Sequence, residues 1–281
     1  MPASQPPELV IDARRGDTTD FPGLCRDLWQ YRELFYFLAW RDVLVRYKQT
    51  VIGIAWAVLK PVLTMVALTV VFGRLAQLPS AGMPYPILVL AALMPWQFFS
   101  SAMSECSSSL IDDAHLISKI YFPRMIIPAS SVIVSLMDWA ISGVILLILM
   151  FWYGIVPGWQ IIFLPFFALL AFALSLGVGL WLAALTVKYR DFRQVVPFIA
   201  QFGLYVSPVG FSSTVIPGQW RILYALNPMV GIIDGFRWAI SGGLSPLRIP
   251  DLVLATVVLS ATLWSGARYF RRTERRFADV I

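Results

Sequence analysis

The sequence predicts an all-α integral membrane protein. Six transmembrane helices are expected, with an N-terminal interfacial helix, a short cytoplasmic helix and short outer re-entrant helices before the last span. Three observations carry this expectation. Hydrophobic residues make up 58% of the 281-residue chain and charged residues only 14%, against about 25% charged in soluble domains. Residues 75–104, 139–187, 194–220 and 252–267 carry no charge at all. Finally, seventeen of the 22 Lys and Arg fall on segments assigned to one side of those stretches. Such a composition excludes a disordered chain, a disulfide-stapled module and a nucleic-acid-binding domain. The net charge of +6 is spread over the ends of apolar runs, where membrane topology places it.

A spanning helix needs about 20 mostly apolar residues. On that basis the six spans fall at about 52–72, 87–106, 125–153, 161–187, 195–211 and 252–270. Pro79, Gly82, Pro84 and Pro86 end the first hairpin, and Gly154, Pro157 and Gly158 end the second. Proline removes a backbone donor and glycine relaxes the dihedrals, so both belong at turns. Basic residues concentrate before the first span, in the second and fourth connections and in the tail. The positive-inside rule then puts both termini in the cytoplasm, which an even number of spans requires.

Ahead of the spans, residues 1–27 are polar and lack the apolar core of a signal peptide, so they read as a flexible cytoplasmic lead-in. Residues 28–48 read as an interfacial amphipathic helix. Gln30, Glu33, Arg41 and Lys48 share one face, Arg32, Asp42 and Arg46 form a second polar stripe, and Trp29, Tyr36, Trp40 and Tyr47 are aromatic anchors. Two stripes suggest one face toward headgroups or water and one toward protein. Residues 271–281 form a cytoplasmic tail.

Two further segments do not span. Over 109–122, Ser109 to Asp112 fits a capping box with Ser109 as N-cap. Leu110, Ala114, Ile117 and Tyr121 then recur at helical spacing, with Asp112, His115 and Lys119 on another face. Pro123 ends this helix. Residues 217–245 read as one or two short outer helices with an apolar stripe of Met229, Ile233, Phe236 and Ile240. Asp234 and Arg237, three residues apart, are placed to pair.

The chemistry that is absent narrows the function. A Walker A loop needs a glycine directly before its lysine. Lys48, Lys60, Lys119 and Lys188 follow Tyr47, Leu59, Ser118 and Val187, so no ATPase loop is encoded. Cys25, Cys106 and the single histidine, His115, do not make a metal site, which takes about four N/S ligands. Asp138 is the one acid deep in a span, with Lys60 and Glu105 near the inner boundary. One buried acid is a thin basis for a proton relay. Its two readings are a partner for polar groups in the bundle and a part in gating or in the water-filled path.

Four stretches resemble permease subunits of type-2 ABC exporters, in the branch that exports polysaccharides such as O-antigen, capsule and teichoic acid. They are the entry to the first span, RYKQTVIGIAWAVLKP (46–61); the loop KYRDF (188–192); the outer stretch LNPMVGIIDGFRWAI (226–240); and the tail FRRTERRFADVI (270–281). They occur in the family's order, and the resemblance runs from about residue 28 to the end. It implies a half-transporter with no catalytic residue of its own. Two copies would form the pore in the bacterial inner membrane. Two copies of a separate ATP-binding subunit, carrying ATP and magnesium, would dock below.

It further implies that 109–122 is the coupling helix, with Ser109, Asp112, Asp113, His115, Lys119 and Tyr121 facing the ATPase, and that Tyr189, Arg190 and Asp191 form the second cytoplasmic turn. The substrate implied is a polymer on an undecaprenyl-diphosphate lipid. Arg46, Lys48 and Lys60 are candidate diphosphate contacts, with anionic phospholipid as the alternative ligand. Trp56, Phe98, Phe99 and Tyr205 are candidate channel-lining aromatics, although aromatic belts at the interface use the same residues. The rival readings are a permease for a small amphipathic drug or lipid, and a non-transporting scaffold of envelope synthesis.

Overall fold

The computed structural model describes residues 29–48, 53–80, 82–117, 119, 122–189 and 191–274. The lead-in over 1–27, Cys25, Tyr121, Arg190, the Lys48 side chain and the tail beyond Glu274 lie outside the described residues. All regular structure among the described residues is helical. In chain order the helices are α1 (Arg32–Lys48), α2 (Gly53–Leu68), α3 (Tyr85–Asp112), α4 (Ala114–Ile117), α5 (Ile126–Trp152), α6 (Leu164–Lys188), α7 (Phe192–Val206), α8 (Gly218–Ala225), α9 (Pro228–Ile240) and α10 (Ile249–Glu274). A π-helical turn over Thr69–Leu75 extends α2, and a 3-10 turn over Trp159–Phe163 leads into α6.

Five helices are long and apolar enough to cross a bilayer: Ala55–Leu75, Tyr85–Asp112, Ile126–Trp152, Trp159–Lys188 and Ile249–Glu274. They match the first four and the last of the expected spans. The segment expected as the fifth span, 195–211, differs. Helix α7 covers 15 residues, about 22 Å at 1.5 Å per residue, short of the roughly 30 Å hydrocarbon core. It stops because Pro208 follows Ser207. A residue before proline is pushed out of the helical region, and Ser207 is extended at ψ 153°.

Helix α3 is the centre of the bundle. Its N-terminal third is sheathed by protein, with Ile87 through Trp96 almost entirely buried. Helices α5 and α6 pack along it, α9 and α7 touch it, and α10 packs on the far side of α6. The α6–α10 crossing is close because two glycines meet there: a side chain at Gly266 would strike the Gly177 carbonyl, and one at Gly177 would strike the Leu263 backbone. Small residues at such a crossing let membrane helices approach backbone to backbone. Stacking of Trp181 on Tyr269 (4.4 Å) and the Trp181 Nε1 bond to Ser265 Oγ (3.1 Å) hold the register. Helix α1 lies against α5.

Candidate functional site

Two clusters of charge flank the bundle, one at the C-terminal end of α3, on the side expected to be cytoplasmic, and one at the turn beyond α7, on the side expected to be outer. At the C-terminal end of α3, the helix expected over 109–122 is seen among the described residues only as Ala114–Ile117. Ser109 is not an N-cap. It lies inside α3, where its hydroxyl donates to the Cys106 carbonyl (2.9 Å). Helix α3 simply continues through the serines to Asp112, because apolar residues such as Cys106 and Leu110 remain buried to that point. The chain then pivots at Asp113 into the four-residue α4. The Asp113 carbonyl accepts from Leu116 N (2.9 Å), which starts that turn. His115 and Lys119 are exposed beside it.

The two aspartates at this pivot are held by arginines from different elements. Arg41 of α1 donates from Nη2 to both carboxylate oxygens of Asp113 (2.8 and 2.9 Å), while its Nε reaches Asp42 (2.8 Å). Arg193, in the first turn of α7, reaches Asp112 at 3.2 Å. Burial raises the Asp42 carboxyl, and the Arg41 guanidinium opposes that shift. In the turn between α6 and α7 Tyr189 is exposed, with the Lys188 ammonium 4.8 Å from its ring centre. Asp191 sits before α7 without a side-chain cap. Just beyond α4, the Arg124 amide and guanidinium donate to the Glu274 carboxylate and carbonyl, each at 2.8 Å. The exit from the pivot is thereby tied to the end of α10.

Higher in the bundle, Asp138 has its partners. Arg46 Nη2 donates to Asp138 (2.7 Å), Arg46 Nη1 to Glu105 (2.9 Å), and the Tyr47 hydroxyl to Asp138 (2.6 Å). Burial, and then the Asp138 hydrogen bond, push the Tyr47 phenol up and keep it protonated. Of the candidate diphosphate contacts, Arg46 is therefore committed to two carboxylates, and Lys60 is exposed. The order of the pairs also orients α1. Arg41 meets the end of α3 and Arg46 meets it about two turns earlier, so α1 climbs beside α3. Asp138 is about 18 Å along α5 from Ile126 at 1.5 Å per residue. The C-terminal end of α1 thus reaches well into the bundle instead of lying flat along its edge.

The aromatic candidates separate. Trp56 and Tyr205 are exposed, whereas Phe98 and Phe99 are buried in the core. Phe98 and Phe99 therefore do not line an open path, because their face of α3 is covered by neighbouring helices.

At the outer turn, α8 and α9 form the short helices expected over 217–245, and Met229, Ile233, Phe236 and Ile240 are buried as that stripe requires. The charges of Asp234 and Arg237 attract each other, but no direct hydrogen bond joins them among the described residues. Arg237 instead donates to three carbonyls: Leu88 (3.1 Å), Phe211 (2.9 Å) and Val209 (3.1 Å). Tyr85 donates to the Gly210 carbonyl between the last two (2.7 Å). The backbone leaves the helix at Pro208, so its carbonyls lose their intrahelical donors, and buried carbonyls need replacements. Arg237 and Tyr85 supply them. Asp234 takes a hydrogen bond from Ser213. Arg221 pairs with Asp251 at the start of α10 (2.9 Å) and donates to the Ser213 carbonyl (3.2 Å). Beside this turn lies an apolar pocket of about 380 Å³ lined by Val206, Ile216, Pro217, Trp220, Leu223, Tyr224 and Asn227.

Sequence reasoning found Asp138 and the aspartates but missed Arg41–Asp113, Arg193–Asp112, Arg46–Glu105 and Arg124–Glu274. A lone intramembrane acid demands a cation, and Arg46, on the helix just ahead of the first span, was the signal available for that one.

The family model described as "ABC-2 type transporter" matches residues 33–240. An O-antigen export system permease protein RfbA of Myxococcus xanthus is 28% identical over 262 residues, covering 92% of this chain and 99% of that protein. An RfbA of Klebsiella pneumoniae is 25% identical, covering 89% and 95%. The polysialic acid transport protein KpsM of Escherichia coli is 24% identical, covering 83% and 91%.

Proposed function

The chain belongs to the ABC-2 type transporter family, and from that premise we propose that it exports an undecaprenyl-diphosphate-linked polysaccharide, of the O-antigen or capsule type, from the cytoplasmic to the outer face of the bacterial inner membrane. It is a multi-pass permease that works with a partner ATP-binding subunit. Two copies form the pore, both termini lie in the cytoplasm, and ATP and magnesium sit on the partner.

The observation that carries this reading is the charge-held pivot at Asp112 and Asp113. Closure of the ATPase displaces α4. Because Arg41 and Arg193 grip the pivot from α1 and α7, the displacement reaches both helices at once, and the Arg124–Glu274 contact carries it to α10. The names and near-complete coverage of the O-antigen and polysialic acid relatives support a polysaccharide cargo. Exposed Trp56 and Tyr205 suit stacking on sugar faces, and exposed Lys60 is the remaining candidate for the lipid diphosphate.

Deleting the gene tests the reading. Lipid-linked polymer is expected to accumulate inside the cell and to disappear from the surface. Normal surface polysaccharide in the deletion strain refutes the assignment.

A further inference from the structure

Between Gln97 and Asp112, every residue of α3 that is not buried lies on one face, and all but Ile111 are polar. Gln97, Ser101, Ser104 and Ser108 follow the i, i+4, i+7, i+11 spacing of a single helical stripe, flanked by Glu105 and Asp112. The stripe is about 22 Å long at 1.5 Å per residue, most of the inner half of the span. On the rest of the helix surface α3 is covered by protein.

Lipid is a poor neighbour for this face. A hydroxyl, an amide and a carboxylate are each costly against hydrocarbon, and the Glu105 side chain keeps 43% of its exposure while paired with Arg46. The serines do not spend all their hydrogen-bonding capacity internally. Ser104 donates to the Ser100 carbonyl (2.8 Å), which uses its proton and leaves its lone pairs on the open side.

Helix α7 adds a second, separate observation. It touches α3 at both ends of the stripe: Gly203 lies against the Trp96 indole, and Arg193 reaches Asp112. Val196 is its buried side. Gln194 and Gln201, seven residues apart, are exposed on the opposite side together with Phe198 and Tyr205. A helix presenting amides and rings away from its own protomer faces neither a dry core nor pure lipid.

We propose that the Gln97–Asp112 face of α3 is the cytoplasmic half of a water-filled conduit and that it contacts the hydroxyls of the passing polysaccharide. This rests on the export reading above and assigns the surface the polymer slides along. The chemistry fits passage better than capture. Serine and glutamine offer many exchangeable hydrogen bonds of modest strength, and movement along a pore requires sites weak enough to leave.

The test places single cysteines at Ser101, Ser104 and Ser108 in the full complex with its ATPase partner, after Cys25 and Cys106 are changed to alanine in a form that still exports. The probe is a membrane-impermeant cationic methanethiosulfonate applied to inside-out vesicles. Labelling is expected at all three positions, with protection when polymer occupies the complex. A cysteine at the exposed apolar Leu147 of α5 is expected to stay unlabelled. Ser104→Trp is expected to abolish export while membrane insertion and ATP hydrolysis persist.

No labelling at the three sites, or oxidative cross-linking of two copies through them without labelling, overturns the proposal. So does full export by Ser104→Trp. Labelling without protection in a complex that demonstrably carries polymer also overturns it. A wild-type complex that carries no polymer at all refutes the export reading instead, and the polymer contact with it.

Discussion

The inner and outer ends of the bundle both rest on arginines, but they use them in opposite ways. At the outer turn Arg237 is fully buried and donates to three backbone carbonyls. For Val209 and Phe211 it stands in for the helical donors lost where the chain leaves the helix at Pro208, and through Leu88 it ties that turn to α3, so its role is fixed for as long as the turn exists. At the inner end Arg41, Arg46 and Arg193 pair with carboxylates on other helices, with side chains 29%, 34% and 49% exposed. Such pairs keep access to water and can break and re-form at modest cost. The outer arginine maintains a shape, whereas the inner ones link elements that must move.

That contrast predicts its largest effect at Arg237. Arg237→Met leaves the Val209 and Phe211 carbonyls without a charged donor, at about 1–3 kcal/mol for each buried acceptor left unsatisfied, and removes a second donor from the Leu88 carbonyl inside α3. Thermal unfolding in detergent should show a marked loss of stability. Arg237→Lys should recover only part of it, because an ammonium lacks the planar fork that spans several acceptors. An unchanged midpoint in Arg237→Met would break the comparison at its firmest point.

Asp138→Ala comes next. It strips both Arg46 and Tyr47 of their acceptor and frees the end of α1 from α5, with an expected cost of about 1–3 kcal/mol for lost charge-assisted bonds. The readout is local: α1 should become protease-sensitive, or a spin-label distance between α1 and α5 should broaden, while the bundle stays folded. Tyr47→Phe removes one of the two contacts and should do less. Global unfolding by Asp138→Ala would move this cluster into the structural class with Arg237.

What the sequence disclosed follows the same division. The long spans were legible because charge-free runs and hydropathy are local properties, and the short outer helices because Met229, Ile233, Phe236 and Ile240 recur at helical spacing. The length of α7 was not, because hydropathy continues through Ser207-Pro208 while the backbone does not. The cytoplasmic helix was misread because Ser109 and Asp112 satisfy a capping pattern, yet burial of Cys106 and Leu110 keeps α3 going past it. The four pairs that sequence reasoning missed join residues 59 to 150 positions apart. Such pairing is set by how helices pack, which no local pattern encodes. Aromatic residues are recognisable as lining candidates by type, whereas nothing local in the sequence marks that packing leaves Ser101, Ser104 and Ser108 half-buried on one face.

At the pivot itself, Arg41→Ala should alter stability by only about 1 kcal/mol, since the site is part exposed, yet it removes the bidentate grip of α1 on Asp113. Export should fall while ATP hydrolysis by the complex continues, and Arg41→Lys should not rescue it, because holding Asp42 through Nε and Asp113 through Nη2 at once takes the planar guanidinium fork.

The smallest effect is expected at Arg193. Its contact with Asp112 is 3.2 Å long, with side chains 49% and 60% exposed, so Arg193→Ala should cost no more than about 0.5 kcal/mol and its influence on export should fade as salt screens the pair. Measuring export against ATP hydrolysis at low and high ionic strength in both arginine variants separates the two routes out of the pivot. A deeper, salt-resistant uncoupling in Arg41→Ala assigns the main transmission to α1. Equal uncoupling in Arg193→Ala would mean that pair strength does not decide the route, and that α7, which flanks the polar face of α3, carries the displacement directly to the conduit wall.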